Sequence, residues 1–310
     1  MTAGYEALMN SAALLDLSGR GRIRVTGEDR ARLLHAMTTN HVQQMKPGDG
    51  IYAFFLSAQG RILADAYIFC FDDHFLLDTG PEARRVVYEH LDKFIIADDV
   101  TLEDVTDQTF SFGIEGPTAT QVAATAGLSA PHHRFSHLQS GGCTVAALSA
   151  TGVYGVRITG PAANKEPVAS LIEGAGAIAA SAEDAETARI ENFVPKHGCD
   201  ITEHTLPQET QQTHALHFQK GCYIGQEIVE RIRSRGHVNK LLMGFRAQSP
   251  TAPAAGAKLM LEGKPAGEVT SATVAGEFVF GLAYVRVPGA QSGAMAEIDG
   301  VVVELFAPRD

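Results

Sequence analysis

The stretch GRIRVTGEDRARLLHAM (residues 21–37) sets the class of fold. Ile23 and Val25 alternate with polar neighbours at the two-residue period of a half-buried strand, Gly27 breaks the run, and a helical segment follows. Thr26 and Asp29, a hydroxyl with an acid three residues later, predict a capping box at the helix start. The same outline recurs at TFSFGIEGPTATQVAATAG (109–127) and at VYGVRITGPAANKEPVASLIEGAG (153–176), where Val156 and Ile158 alternate. Pro117 and Pro161 suit a first helical turn, and Gly127 and Gly174 suit the stops. Three strand–glycine–helix units among other strands predict an α+β architecture with helices packed on sheets.

Between the first two units, residues 50–80 read as a three-strand meander, with SAQGR and FDDH as turns. Residues 81–95 show helical spacing at Val86, Val87, His90, Leu91 and Phe94. The His-rich segment 130–142 reads as an exposed loop. From residue 241 onward short alternating runs lie between Gly and Pro turns with no helical period, which predicts a small β-barrel. The expected division is therefore 1–240, with two interleaved α+β subdomains, and 241–310.

Composition limits the function. The 310 residues carry 36 acids against 25 bases, a formal net charge of −11, which argues against a chain built to track a phosphate backbone. No apolar run is long enough for a bilayer-spanning helix, and the N-terminal residues do not read as a signal peptide. Cys70, Cys143, Cys199 and Cys222 form no CxxC pair, the usage of a reducing, cytoplasmic-type compartment.

Chemistry concentrates in KGCYIGQE (220–227). Ile228, Val229 and Ile232 sit at helical spacing with Gly236 as a stop, so Cys222 is expected just ahead of a helix N-terminus with Lys220 two residues away. Both features favour a thiolate, which makes Cys222 the candidate nucleophile and Lys220 its activator. The alternative is a small hydrophobe packed under the helix, the fate expected for Cys70.

Asp65 lies in an apolar strand, where an acid is costly unless something binds it. Ile62, Ala64, Ala66 and Ile68 share one face, and Leu63, Asp65 and Tyr67 the other. Asp65 therefore either lines a cavity and accepts a hydrogen bond from a ligand nitrogen, or faces water from an edge strand.

Residues 188–209 read as a long ordered loop, and such loops are usually functional. His197, Cys199, Asp200, His204, His214, His217 and Cys222 are possible metal ligands, but their spacing matches no standard zinc pattern. Arg231, Arg233, Arg235 and Lys240 form either a solvated helix face or a local attractor for an anionic ligand.

Taken together, these stretches resemble the folate-binding family that includes the glycine-cleavage T-protein, an aminomethyltransferase. LLHAMTTNHVQQMKPGDGIYAFFLSAQGRILADAYIF is similar to its N-terminal section, and RIENFVPKHGCDITEHTLPQE to its Arg-x-Glu…Gly…Asp…Pro-x-Glu segment. KGCYIGQE resembles the signature of the YgfZ branch, associated with iron–sulfur protein assembly or repair and, indirectly, tRNA modification. The resemblance implies a three-domain ring around a central folate cavity, two α/β layered domains and a C-terminal small β-barrel. It implies tetrahydrofolate or a derivative as cofactor, and iron–sulfur client or assembly proteins as partners. No direct nucleic-acid or membrane partner is expected.

Asp65 falls where T-proteins carry the aspartate that contacts folate, and Arg189 on the Arg-x-Glu arginine. Asp78 is the third candidate cofactor contact. Lys220, Gly221, Cys222, Tyr223, Gly225, Gln226 and Glu227 carry the branch motif. Two departures bear on transfer chemistry: Ala64 replaces the first of two adjacent acids, and TGVYGVRITG keeps Tyr154 but lacks the glutamate of Gly-Tyr-Thr-Gly-Glu. An aminomethyltransferase and a metal-binding scaffold are the competing readings.

Overall fold

The structure, a computed structural model, describes residues 1–236 and 238–308, apart from the side chain of Arg235. The chain starts with helix α1 (Ala3–Asn10) and strand β1 (Ala13–Asp16), then leaves to build a separate sheet. That sheet joins β2 (Gly21–Thr26), β3 (Gly50–Leu56), β4 (Ile62–Cys70), β5 (Phe75–Thr79) and β6 (Thr101–Asp104) in the order β3-β4-β5-β2-β6. All its pairs are antiparallel.

Helices α2 (Arg30–Met37) and α3 (Arg84–Asp92) cover one face. Leu33, Leu34, Met37, Val87 and Leu91 pack there against Ala53, Phe55, Ala64, Ala66 and Ile68. Each fully buried Leu or Phe stabilises the layer by about 1.5–3 kcal/mol. The strand period then sends Tyr52, Asp65 and Tyr67 to the opposite face, with Tyr52 paired to Tyr67 across the ladder.

After β6 the chain returns to β1. β7 (Thr109–Glu115), β8 (His137–Ser140), β9 (Cys143–Ala146), β10 (Gly155–Pro161) and β11 (Ile178–Ala180) complete a sheet ordered β11-β1-β7-β10-β9-β8. Its helices, α4 (Ala119–Thr125) and α5 (Lys165–Gly174), cover the face that carries Phe112, Ile114, Val156 and Ile158. Arg157 and Glu115 alternate onto the other face.

Helix α6 (Ala182–Glu191) follows, started by a capping box in which Ser181 and Asp184 exchange bonds with each other's backbone. A long irregular segment with helix α7 (Gln226–Arg235) leads to the closed barrel. β12 (Lys240–Gln248), β13 (Lys258–Leu261), β14 (Lys264–Ala275), β15 (Phe278–Arg286), β16 (Met295–Ile298) and β17 (Val301–Phe306) close in the order β12-β15-β14-β13-β16-β17. Closure removes the exposed edges that short strands would otherwise present.

Two local expectations are corrected. Thr26 remains in its strand, and Asp29, at the start of α2, makes no cap bond; its carboxylate accepts instead from the Asp99 amide. Segment 130–142 is not simply an exposed loop, because β8 pairs with β9 and buries His137. That imidazole reaches the Cys70 carbonyl, which supplies the burial that a polar composition concealed.

Candidate functional site

The uncovered faces of the two sheets, with α6 and the segment after it, enclose a cavity of about 560 Å³. That is within the size range of cofactor pockets. Asp65, Tyr52 and Tyr67 line it from the first sheet, Arg157 from the second, Arg20 from the crossover between them, and Arg189 from α6.

Asp65 is half-buried and faces this space rather than water. Its Oδ2 accepts a 2.6 Å hydrogen bond from the Tyr52 hydroxyl. Burial, with the adjacent Asp65 charge, holds that hydroxyl well above its ordinary pKa range, so Tyr52 acts as a donor. The Thr79 hydroxyl anchors the Asp65 carbonyl at 2.5 Å. Asp65 is thus oriented with acceptor capacity remaining for a ligand N–H.

Asp78 does not line the cavity. It is 2% exposed, and Arg20 Nε at 2.5 Å and Arg157 Nη1 at 2.7 Å hold its two oxygens. Burial would raise its carboxyl, but the two guanidiniums together keep it below the usual range. Asp78 therefore supports the arginines that face the cavity instead of meeting a ligand itself.

Arg22 steadies the same corner. Fully buried, it donates to the carbonyls of Ser18, Arg20, Thr106 and Thr109, and so pins both crossings between the sheets.

Arg189 does line the cavity. Its Nη1 bonds Asp200 at 2.5 Å, and its Nη2 pairs with Glu186. Asp200 also accepts from Ser271 and Thr270 of β14, which ties α6 and the barrel together. This carboxylate, considered above as a metal ligand, is engaged structurally. Among the described residues no three His, Cys, Asp or Glu side chains are grouped to hold a metal.

The cavity wall leaves several donors without partners. Among the described residues the donors Arg157 Nε, Arg189 Nε and Gln212 Nε2 are buried with no hydrogen bond, as are both ring nitrogens of His197, whose donor and acceptor roles depend on the tautomer, and all four residues line the cavity. Buried polar groups in folded proteins are nearly always paired, so an unpaired set around one cavity, most of it donors, points to a ligand rich in acceptors. Of these residues only Arg189 and His197 drew notice in the sequence. Arg157 was legible as a charge inside the apolar run VRI, the same signal that exposed Asp65.

The KGCYIGQE segment does not reach this wall: neither Lys220 nor Cys222 lines the cavity. It docks on the C-terminal end of α2. The Lys220 ammonium donates to the carbonyls of His35 and Thr38, the latter at 2.7 Å, and lies 4.5 Å from the Tyr223 ring centre. The Ile224 amide bonds Ala36, and His35 Nε2 bonds the Lys220 carbonyl at 2.6 Å. A cation at a helix C-terminus meets the negative end of its dipole.

Burial lowers the Lys220 ammonium to about 7, with the Cys222 charge opposing the shift. With its ammonium bonded to the carbonyls of His35 and Thr38, Lys220, expected as an activator of Cys222, also holds the loop in place. Cys222 is exposed at the loop's surface. The helix it precedes begins four residues later, at Gln226.

Both motif glycines have positive φ, 95° at Gly221 and 83° at Gly225. A Cβ at Gly225 would stand 2.7 Å from the Ser57 carbonyl oxygen. The basic run beyond it lies outside the cavity: Arg233 covers the Phe218 ring and Lys240 the Tyr284 ring. The side chain of Arg235 lies outside the described residues.

Comparison with known proteins agrees with this fold. The chain is 28% identical over 313 residues to a chloroplastic protein of Arabidopsis thaliana provisionally named a transferase, covering 97% of this chain and 72% of that one. It is 28% identical over 292 residues to an aminomethyltransferase of Rubrobacter xylanophilus, covering 91% and 78%. The fold matches that of the glycine cleavage system aminomethyltransferase T from Bartonella henselae with a TM-score of 0.89, at 20% identity, over 98% of this chain and 87% of that one. The GCVT N-terminal domain matches residues 1–220, and the chain belongs to that family.

Proposed function

We propose that the cavity binds tetrahydrofolate or a formyl derivative, and that the protein is a YgfZ-type factor supporting assembly, maintenance or repair of iron–sulfur proteins. The observation that carries the folate reading is the complementarity of the wall. Asp65 offers an oriented acceptor for a ring N–H, while the unpaired donors of Arg157, Arg189, Gln212 and His197 meet carbonyl or carboxylate oxygens. Tyr52 and Tyr67 supply flat apolar surface beside them. A reduced folate, when bound, supplies a carrier for one-carbon groups, and the residues named here bind and orient it.

The iron–sulfur role rests on the KGCYIGQE signature and on the exposed thiol of Cys222. A reducing compartment such as the cytoplasm suits four free cysteines. Aminomethyl transfer is the second reading, favoured by relatives that carry that name. Against it, Ala64 stands in place of an acid, and Tyr154 is 79% exposed in a segment without the transferase glutamate.

Two measurements test the proposal. Calorimetric titration with reduced folates should show binding. An assay with a lipoylated carrier should show no methylene transfer, while deletion of the gene should lower iron–sulfur enzyme activities, including those that thiolate tRNA. Robust methylene transfer by the purified protein would decide for the aminomethyltransferase.

A further inference from the structure

We infer that the Arg20–Arg157 corner of the cavity is an anion subsite, built to take a carboxylate or phosphate group. The inference takes its cavity from the proposal above, but it does not require folate as the occupant. Its basis is a mismatch between donors and acceptors. A guanidinium carries five N–H donors in a planar fork. Among the described residues Arg157 donates once, from Nη1 to Asp78, and Arg20 donates from Nε to the other oxygen of the same carboxylate.

One buried acid therefore serves two guanidiniums. Arg157 is 2% exposed, yet its Nε has no partner and its side chain lines the cavity. An unpaired donor on so buried a side chain is costly unless a ligand meets it.

The neighbouring acids do not supply the missing acceptor. Asp65 takes the Tyr52 hydroxyl and, among the described residues, makes no hydrogen bond or ion pair with Arg157 or Arg20. Glu115 shares the sheet face with Arg157, but it accepts from the hydroxyls of Ser149 and Thr151 and from the Ala150 amide. Arg22 cannot rotate in as a competitor, because five bonds to Thr109 Oγ1 and four carbonyls lock it. Two guanidiniums held by one carboxylate, on side chains that both line the cavity and with Arg157 Nε unpaired, supply a preorganised pair of the kind that recognises planar carboxylates and phosphates. The anion could be a carboxylate of the folate itself or a separate small anionic reactant.

The test titrates wild type, Arg157→Lys, Arg157→Gln and Arg20→Gln with acetate, with inorganic phosphate, and with tetrahydrofolate in the presence and absence of each. Ionic strength is held constant with chloride. Arg20 is partly exposed and leaves Asp78 paired to Arg157, so Arg20→Gln keeps the test open if Arg157→Gln fails to fold. The expected result is saturable binding of an anion, or of tetrahydrofolate, that weakens at least tenfold in both Gln variants and less in Arg157→Lys.

Competition between acetate or phosphate and tetrahydrofolate assigns the subsite to the folate carboxylate; independent or mutually strengthened binding assigns it to a second anion. Anion binding without folate binding keeps the subsite and removes the folate reading. Folate binding within twofold of wild type in both Gln variants, with neither anion bound, overturns the subsite and leaves the folate reading standing.

Discussion

Tyr52 and Asp65, on adjacent strands and 13 residues apart, are joined by a 2.6 Å hydrogen bond on the cavity face of their sheet. Tyr52 pairs with Tyr67 and Asp65 with Phe54, so the bond runs diagonally across the ladder and orients the carboxylate without using all of its acceptor capacity. Replacing Asp65 by Asn should weaken reduced-folate binding by about 1.5–3 kcal/mol, the range for a hydrogen bond to a charged group. Tyr52→Phe should cost less, about 0.5–1.5 kcal/mol, because only the orienting bond is lost. Unchanged affinity in both variants by calorimetry would remove Asp65 from the binding site.

Lys220 gives a pH signature. Its ammonium lies at about 7 in the folded protein because it is buried, against about 10.4 in an unfolded chain. Below pH 7 both states hold the proton. Between pH 7 and 10 the unfolded state holds it and the native state does not, so this residue's contribution to stability rises with pH. Relative to Lys220→Met, wild type should gain stability between pH 7 and 9, by at most about 1.4 kcal/mol per pH unit. Urea unfolding at three pH values measures this; a constant difference between the two proteins would contradict the assignment.

The motif glycines should differ in cost. Gly221→Ala meets no neighbouring atom and carries only the penalty of positive φ, about 1–2 kcal/mol. Gly225→Ala adds a 2.7 Å approach to the Ser57 carbonyl oxygen, which belongs to the β3–β4 turn. It should therefore be the more destabilising of the two, and should shift the turn as well as the loop. Equal losses in thermal unfolding would show that the turn yields freely.

Cys222→Ala separates function from packing. The thiol is exposed, so the variant should unfold within about 0.5 kcal/mol of wild type. In a deletion strain it should nevertheless restore iron–sulfur enzyme activity poorly. Full rescue by the alanine variant would leave Cys222 without the proposed role.

Local pattern determined much of the protein. The strand–glycine–helix units, the meander, helix α7 and the barrel strands were all legible, because each depends on a period of two or about 3.6 and on turn residues close by in sequence. Asp65 was legible for the same reason: a charge in an apolar strand marks a face that needs a partner.

What covers that face was not legible. The cavity exists because the chain leaves the sheet of β1, builds a second sheet from β2–β6, and returns to pair β7 with β1. That path brings Arg157 to Asp78 across 79 residues and Lys220 to the end of α2 across 185. Periodicity reports which side chains share a face, but it carries no information about which distant element packs on it. The ion pairs of Arg20, Arg157 and Arg189, and the docking of KGCYIGQE away from the cavity, were therefore decided by tertiary structure. Low-dielectric burial selects such partners only after the sheets have come together.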